Sequence, residues 1–253
     1  MIRGGALVVV AALLSGPAGA EPLPSGSNFV TDELRTRQAD EAANPGMLWV
    51  DAGAGLWDAP QGADGKACAS CHGDAETAMR GVATRYPAVD AETGDLLNLE
   101  GRINRCRTRH QGEAAFGYES EELLGLTAFV ARQSLGLAMA VETGGAAASF
   151  HEAGRALYHL RQGQLNLSCA QCHDDNAGRT LRGDTISHGI GTGYPAYRLE
   201  WQALGSLQRR LRSCSFGVRA VQFDYGSPEY LSLELYLAAR ARGAAVETPA
   251  IRR

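Results

Sequence analysis

The sequence predicts an all-α protein built from two tandem copies of one domain of about 100 residues. Three observations support this prediction: a cysteine motif that occurs twice, a further cysteine at a matching distance after each motif, and helical patterns that recur in the same order. The chain has 253 residues, of which 45% are hydrophobic and 21% are charged, as in ordinary globular proteins. A net charge of −4 argues against nucleic acid as a partner, because phosphate binding needs a concentrated basic surface.

The repeated motif is C-x-x-C-H, at residues 68–72 and 169–173. This pattern is the attachment signature of c-type haem, in which two thiols form thioethers with the vinyl groups and the adjacent histidine binds the iron. A zinc knuckle or a redox dithiol is the alternative for a single C-x-x-C, but here His72 and His173 follow directly. The sequence therefore predicts two covalently bound haem c groups in two cytochrome c-like domains. The cysteines that would form the thioethers are Cys68, Cys71, Cys169 and Cys172.

The repeat extends beyond the haem motif. A glycine lies 15 residues before each motif, a Tyr-Pro pair follows the motif, and a further cysteine lies 20 residues after that tyrosine. The glycines are Gly53 and Gly154, the Tyr-Pro pairs begin at Tyr86 and Tyr194, and the cysteines are Cys106 and Cys214. The offset between the copies is 101 residues before the motif and 108 after it, so the second copy carries an insertion.

Each copy contains three amphipathic segments with helical spacing, and neither contains a convincing run of alternating strand residues. Ser120 and Ser227 are predicted helix starts, because a hydroxyl caps the first turn, and Gly136 and Gly243 are predicted stops. The segments lie near residues 47–58, 95–106 and 120–134 in the first copy, and near residues 149–162, 198–213 and 227–241 in the second. The Gly-rich region near 137–148 is the expected link.

The first twenty residues have the pattern of a secretory signal peptide. Arg3 precedes an apolar run, and Ala18-Gly19-Ala20 gives a small-x-small cleavage site. The apolar run is shorter than the ~20 residues that span a bilayer, and no later stretch is long and apolar enough, so no membrane span is expected. The predicted organisation is a signal peptide over 1–20, an N-terminal extension over 21–45, a first haem domain over 46–143 and a second over 144–253.

The second axial ligand of each iron is a separate question. The methionines are Met1, Met47, Met79 and Met139, so the second domain has none. Its candidates are His151, His159, His188, Cys214, solvent, or a group from elsewhere in the chain.

Cys106 and Cys214 could instead form one disulfide, as exported proteins often do. The repeat argues against a disulfide, because each cysteine occupies the same place in its own domain, and a disulfide needs Cα atoms within about 7 Å. We therefore expect Cys106 to bind the first iron and Cys214 to bind the second, opposite His72 and His173.

The chain resembles the SoxA family, the dihaem subunits of the SoxAX cytochrome of periplasmic thiosulfate oxidation. The resemblance covers nearly the whole chain after the signal peptide. Its most specific segments are the Arg-rich runs that end in the extra cysteines, residues 98–106 and 209–215.

The resemblance implies an L-cysteine S-thiosulfotransferase with His/Cys ligation at both haems. It also implies a catalytic Cys214, found as a persulfide, and a nearby substrate-binding arginine, which maps onto Arg210. The implied substrate is thiosulfate, and the implied partners are a SoxX-type monohaem cytochrome and a SoxYZ-type sulfur carrier in the periplasm.

Arg210 lies four residues before Cys214, so a helix would place both on one face. Its guanidinium suits an oxyanion and keeps its proton. Arg102 stands in the same relation to Cys106, so the choice of the second haem as the catalytic one rests on the resemblance.

Two rival functions remain at this point. A plain dihaem electron-transfer cytochrome predicts Met or His on both irons, which the methionine-free second domain disfavours. A thiosulfate dehydrogenase would join two thiosulfates into tetrathionate without a carrier protein.

Overall fold

A computed structural model describes Met1 and residues 21–62 and 64–253 of the chain. Apart from Met1, the predicted signal peptide over 1–20 lies outside the described residues. Within the described residues, no helix is long and apolar enough to cross a membrane.

The N-terminal extension and the first repeat unit contain six α-helices and one two-stranded sheet among the described residues. A short helix, α1, lies in the extension, and a π-helical turn at Arg107–Gln111 directly follows α5. The elements are α1 (Asp32–Ala39), α2 (Met47–Asp58), α3 (Cys68–His72), α4 (Ala75–Ala78), β1 (Ala88–Val89), β2 (Leu96–Leu97), α5 (Leu99–Cys106) and α6 (Glu121–Arg132).

The second unit repeats this order and adds strands. A hairpin of β3 and β4 lies in the insertion, and β5 pairs antiparallel with β6 and parallel with the C-terminal strand β7. The elements are α7 (Ala148–His159), α8 (Cys169–His173), β3 (Thr180–Leu181), β4 (Asp184–Thr185), β5 (Ala196–Arg198), β6 (Ala203–Gly205), α9 (Leu207–Gly217), α10 (Pro228–Arg240) and β7 (Ala250–Arg252).

The predicted helical fold class is confirmed, with only small sheets added. Ser120 and Ser227 cap α6 and α10 as predicted, accepting hydrogen bonds from the backbone N–H groups of Leu123 and Tyr230. The predicted helix over 198–213 is wrong at its start, because Arg198 ends β5, residues 203–205 form β6, and α9 begins only after Ser206, whose Oγ caps it.

Two further details differ from the sequence predictions. The helices α6 and α10 end before the predicted stops, and Gly136 and Gly243 follow as left-handed turn residues. The expected link is held in place, since the Met139 N–H donates to the Ala244 carbonyl at 2.9 Å. The domain boundaries at residues 46, 143 and 144 stay a prediction.

In each unit the first helix packs against the last at a glycine. A Cβ atom on Gly53 would lie far inside van der Waals contact with the Gly125 carbonyl oxygen, where α2 crosses α6. A Cβ atom on Gly154 would meet the Ser232 carbonyl oxygen in the same way, where α7 crosses α10. The matching glycines of the repeat are therefore positions where two helix backbones touch.

The interface between the two units contains an apolar cluster and a pair of stacked aromatic rings. A buried apolar cluster combines Leu96 of the first unit with Ile190 and Leu235 of the second. The rings of Tyr118 and Tyr225, which are repeat equivalents, stack at 5.6 Å with a 12° interplanar angle. The repeat units therefore pack against each other about corresponding residues.

A cavity at this interface is lined by two buried carboxyl groups, Glu100 and Glu234, together with Asn98 and Thr127. Burial raises the pKa of Glu100 to about 7, and the nearby Glu119 carboxyl adds to the effect. Burial and the neighbouring Glu100 raise the pKa of Glu234 well above its usual range. The fold therefore favours the neutral form of these acids.

The N-terminal extension packs on the C-terminal strand. The Gln38 Oε1 atom accepts hydrogen bonds from the Ile251 N–H at 3.0 Å and from Arg252 at 2.7 Å. The Asn44 side chain donates to the Pro249 carbonyl at 2.9 Å. The extension thus ties the start of the first unit to the end of the second.

Replacing Gly53 with alanine should destabilise the protein by at least ~1–3 kcal/mol, because the added methyl group forces α2 and α6 apart. Urea unfolding of the holoprotein measures the change. Gly55→Ala on the same helix is the control, since nothing lies within 4 Å of its Cβ position. It should be neutral or stabilising by ~0.5–1 kcal/mol. Equal effects of the two substitutions would contradict the close crossing.

Replacing Glu100 with glutamine should make the protein more stable than the wild type at pH 8, with the difference vanishing near pH 4.5. A raised pKa means that the stability contribution is complete below the unfolded value of 4.5 and is lost as pH rises through about 7. Thermal melts of both proteins between pH 4.5 and 8.5 test this, with the exposed Glu142→Gln as control. A parallel pH dependence in wild type and Glu100→Gln would show that Glu100 is not the buried acid responsible.

Candidate haem and thiol sites

Each haem motif forms a short helix that its own residues cap. In α8 the Ser168 N–H donates to the Gln171 side chain at 3.0 Å, and the Gln171 N–H donates back to Ser168 Oγ at 3.3 Å. In α3 the Ala67 N–H donates to Ser70 Oγ at 3.0 Å. The variable residues of both motifs therefore fix the turn that presents the two thiols and the histidine on one side.

The ring of His173 is oriented by the inserted segment of the second unit. Its Nδ1 atom lies 2.7 Å from the Ser187 carbonyl oxygen, so Nδ1 carries a proton and donates it to that carbonyl. Gly189 lies flat against the same ring, and a Cβ there would be 2.8 Å from His173 Cγ. This arrangement is typical of a metal-binding histidine held by a carbonyl in the outer shell.

The two extra cysteines lie where the repeat predicted, each beside its own motif. Cys106, the last residue of α5, is close enough to Cys68 and Cys71 to perturb the pKa of Cys68 and to be perturbed by Cys71. Cys214 on α9 raises the pKa values of Cys169 and Cys172 in the same way. All six cysteines are free thiols in this structure, so the two do not form a disulfide with each other.

The rings of the histidines that competed as axial ligands pack against other aromatic rings. His188 packs its ring against Phe29 of the N-terminal extension, with 5.5 Å between ring centroids. His151 and His159 pack against the ring of Tyr236. The Cys214 thiol, in contrast, lies within hydrogen-bonding reach of His173.

The arginine that precedes the extra cysteine has a different partner in each unit. In the first unit, Arg102 is held by the buried carboxylate of Asp90, at 2.7 Å, and donates to the Tyr86 hydroxyl at 3.1 Å. Burial raises the pKa of Asp90, but backbone N–H donors and Arg102 outweigh it and bring the pKa to about 2. The positive charge of Arg102 is therefore neutralised inside the fold.

In the second unit, no carboxylate of the described residues lies within ion-pair distance of Arg210. The largest effect on its pKa comes from the Cys214 thiolate, which raises it. Burial alone raises the pKa of the Cys214 thiol, but Arg210, His173 and Arg198 together lower it to about 7. For Cys106, burial dominates over Arg102 and the pKa is raised. The structure thus distinguishes two thiols that the sequence left equivalent.

Sequence reasoning missed the residue that makes this difference. Asp90 carries no motif of its own, and its importance appears only when the hairpin of β1 and β2 is seen to bring it against Arg102. A signal was present in the 108-residue offset, which places Arg198 in the second unit at the position of Asp90.

A family model for the SoxA/TsdA cytochrome c domain matches residues 52–139 and again residues 153–246. The chain belongs to the SoxA/TsdA cytochrome c family. Its relatives include an L-cysteine S-thiosulfotransferase subunit SoxA from Pseudaminobacter salicylatoxidans, 40% identical over 90% of this chain and 80% of the relative. A subunit of the same name from Rhodovulum sulfidophilum is 38% identical over 92% of this chain and 81% of the relative.

Among solved structures, the crystal structure of SoxXA from P. pantotrophus superposes with a TM-score of 0.88 and 38% sequence identity, covering 91% of this chain and 87% of that chain. The predicted family and the two cytochrome c domains are therefore confirmed. The cofactor of this family's domains is haem c.

The residues of both units fit haem c. Each motif supplies two thiols and a histidine on one turn, and an apolar cluster lies beside each: Leu99, Ile103 and Leu126 next to Cys68, and Leu207 and Leu211 next to Cys169. The His173 side chain and the Cys214 thiol lie within hydrogen-bonding reach of each other, and these are residue types that would hold a haem iron.

Proposed function

We propose that this SoxA-family chain is a periplasmic dihaem L-cysteine S-thiosulfotransferase, which joins thiosulfate to a cysteine of a SoxYZ-type carrier protein while two electrons leave through haem. One observation carries the assignment of the chemistry to the second unit. Cys214 lies beside Arg210, which forms no ion pair with a carboxylate of the described residues, whereas Cys106 lies beside Arg102, which Asp90 neutralises.

The proposal includes two covalent haem c groups. The thioether residues are Cys68, Cys71, Cys169 and Cys172. The axial pairs are His72 with Cys106 and His173 with Cys214. The apolar clusters and the proximity of His173 and Cys214 support this assignment, and the names of the relatives support the activity.

Arg210 is proposed to bind the sulfonate oxygens of thiosulfate. A guanidinium fork donates two parallel hydrogen bonds to an oxyanion, and it cannot lose its proton to the substrate. With the oxygens held at Arg210, one helical turn from Cys214, the terminal sulfur of thiosulfate is left to face the cysteine sulfur.

The Cys214 thiolate then forms a sulfur–sulfur bond with that terminal sulfur, and two electrons are released. Haem held by these residues would supply one-electron acceptors at this point, and the final acceptor of both electrons is an oxidised SoxX-type monohaem cytochrome. The lowered pKa of Cys214, about 7, makes its nucleophilic thiolate form readily available near neutral pH.

The carrier cysteine completes the reaction by exchange. Its thiolate attacks the sulfur that came from thiosulfate, the bond to Cys214 breaks, and Cys214 leaves as a thiolate. In sum, a carrier thiol and thiosulfate give a carrier thiosulfonate, one proton and two electrons. The first haem has no substrate role in this proposal, since the charge beside Cys106 is already paired.

Replacing Cys214 with alanine should abolish thiosulfate-dependent reduction of the cytochrome partner, because the sulfur that forms the bond is gone. Covalent haem content, measured on the denatured protein, should be unchanged. Low-temperature EPR of the ferric protein should lose one low-spin thiolate signal. Normal turnover by Cys214→Ala would refute the assignment, and tetrathionate formed by the wild type without carrier would identify a thiosulfate dehydrogenase instead.

The paired arginines provide a matched test of which unit binds substrate. Arg210→Lys should raise KM for thiosulfate about 10-fold, because a lysine keeps the charge but loses the fork. Arg102→Lys should leave KM unchanged, since its partner is Asp90 rather than substrate. Steady-state kinetics with saturating carrier protein measures both. The reverse pattern would place the reaction at the first unit.

A further inference from the structure

The strand hairpins that precede α5 and α9, the helices with the extra cysteines, have the same pairing register. Ala88 pairs with Leu97 and Val89 with Leu96 in the first unit. Ala196 pairs with Gly205 and Tyr197 with Leu204 in the second, at the same 108-residue offset. The residue that follows is Asp90 in the first hairpin and Arg198 in the second, so one structural position carries opposite charges.

Asp90 uses this position to neutralise the arginine of its cysteine helix. In the second unit the same position adds a cation. Arg198 is 6% exposed, and the matching register of the hairpins puts it at the position from which Asp90 reaches Arg102 in the first unit. At this position the second unit therefore carries a buried guanidinium group, where the first unit carries the carboxylate of an ion pair.

Arg198 is poorly satisfied by the protein itself. Its Nε atom is buried without a hydrogen-bond partner, and its closest carboxylate oxygen, on the 70% exposed Glu200, lies 3.5 Å from Nη2. Its guanidinium also lies over the Trp201 ring, at 5.0 Å from the centroid. A buried guanidinium with an unmet donor is costly, and such groups in native proteins have a specific reason, of which a bound anion is one.

Resting on the proposed function, we infer that Arg198 is a second binding residue for the sulfonate oxygens of thiosulfate, beside Arg210. Two guanidinium groups match the two negative charges of this dianion, and the sulfonate end offers three oxygens for their donors. The replacement of a carboxylate by Arg198 also removes the group that would repel the substrate and compete for Arg210.

Steady-state kinetics of the holoprotein with its cytochrome partner and carrier tests this role. Arg198→Gln should raise KM for thiosulfate about 10–100-fold while kcat changes less than about 3-fold, and Arg198→Lys should recover part of the loss. Arg198→Asp, which copies the charge arrangement of the first unit, should raise KM most. Arg155→Gln removes an exposed arginine on α7 and should leave KM unchanged.

A second measurement reports binding without turnover. In holoprotein carrying Cys214→Ser, calorimetric titration with thiosulfate should show a dissociation constant about 10-fold or more higher when Arg198→Gln is added. Unchanged thiosulfate affinity in this background would overturn the inference.

A purely structural role for Arg198 is tested through its neighbour. Glu200→Gln removes the one carboxylate near Arg198 and should not raise KM, since the substrate contact is intact. If Glu200→Gln reproduces the effect of Arg198→Gln, the role is structural and the inference fails. If Arg198→Gln proves unstable, Arg198→Lys, which keeps the charge, decides by the same KM criterion.

These outcomes separate the inference from the proposed function. If Cys214→Ala is inactive and Arg198→Gln has a normal KM, the inference is wrong and the proposed function stands. If Cys214→Ala keeps normal turnover, the proposed function fails, and the inference fails with it.

Discussion

In each repeat unit the first and the last helix touch backbone to backbone, at Gly53 and Gly125 in one unit and at Gly154 and Ser232 in the other. This close approach needs a glycine, because any side chain on the first helix would collide with a carbonyl of the last. The haem motif and the helix that carries the extra cysteine lie beside this pair of crossing helices. Both units also share an equivalent aromatic hydrogen bond. The side chains of Trp57 and Tyr158 each donate to the residue that follows the motif histidine of their own unit.

Within this common frame, electrostatics separate the two thiols. The hairpins have the same register and the cysteine helices the same capping position, so the backbone alone gives no reason for a functional difference. One position decides it: Asp90 pairs with Arg102, whereas Arg198 and Arg210 share the surroundings of Cys214. Opposite charges at a single strand end thus give the two extra cysteines different electrostatic surroundings.

The interface between the units is built from repeat equivalents, such as the stacked Tyr118 and Tyr225, and it buries Glu100 and Glu234 without a cation. The N-terminal extension, which precedes the first unit, is hydrogen-bonded to the strand β7 at the end of the second unit. Both domains are therefore parts of one packed molecule, and the segment between them is hydrogen-bonded to the C-terminal region.

The sequence by itself determined the helical class, the duplication, the haem motifs and the pairing of each extra cysteine with its own motif, because these follow from residue spacing along the chain. The helix starts at Ser120 and Ser227 were equally predictable, since capping is local. The strands β5 and β6, the placement of His188 against Phe29 and the ion pair of Asp90 with Arg102 were not. Those depend on contacts between segments that are distant in sequence or on backbone pairing, and only the tertiary structure brings them together. For the same reason the sequence left Arg102 and Arg210 equivalent, and the folded chain distinguished them by what lies beside each.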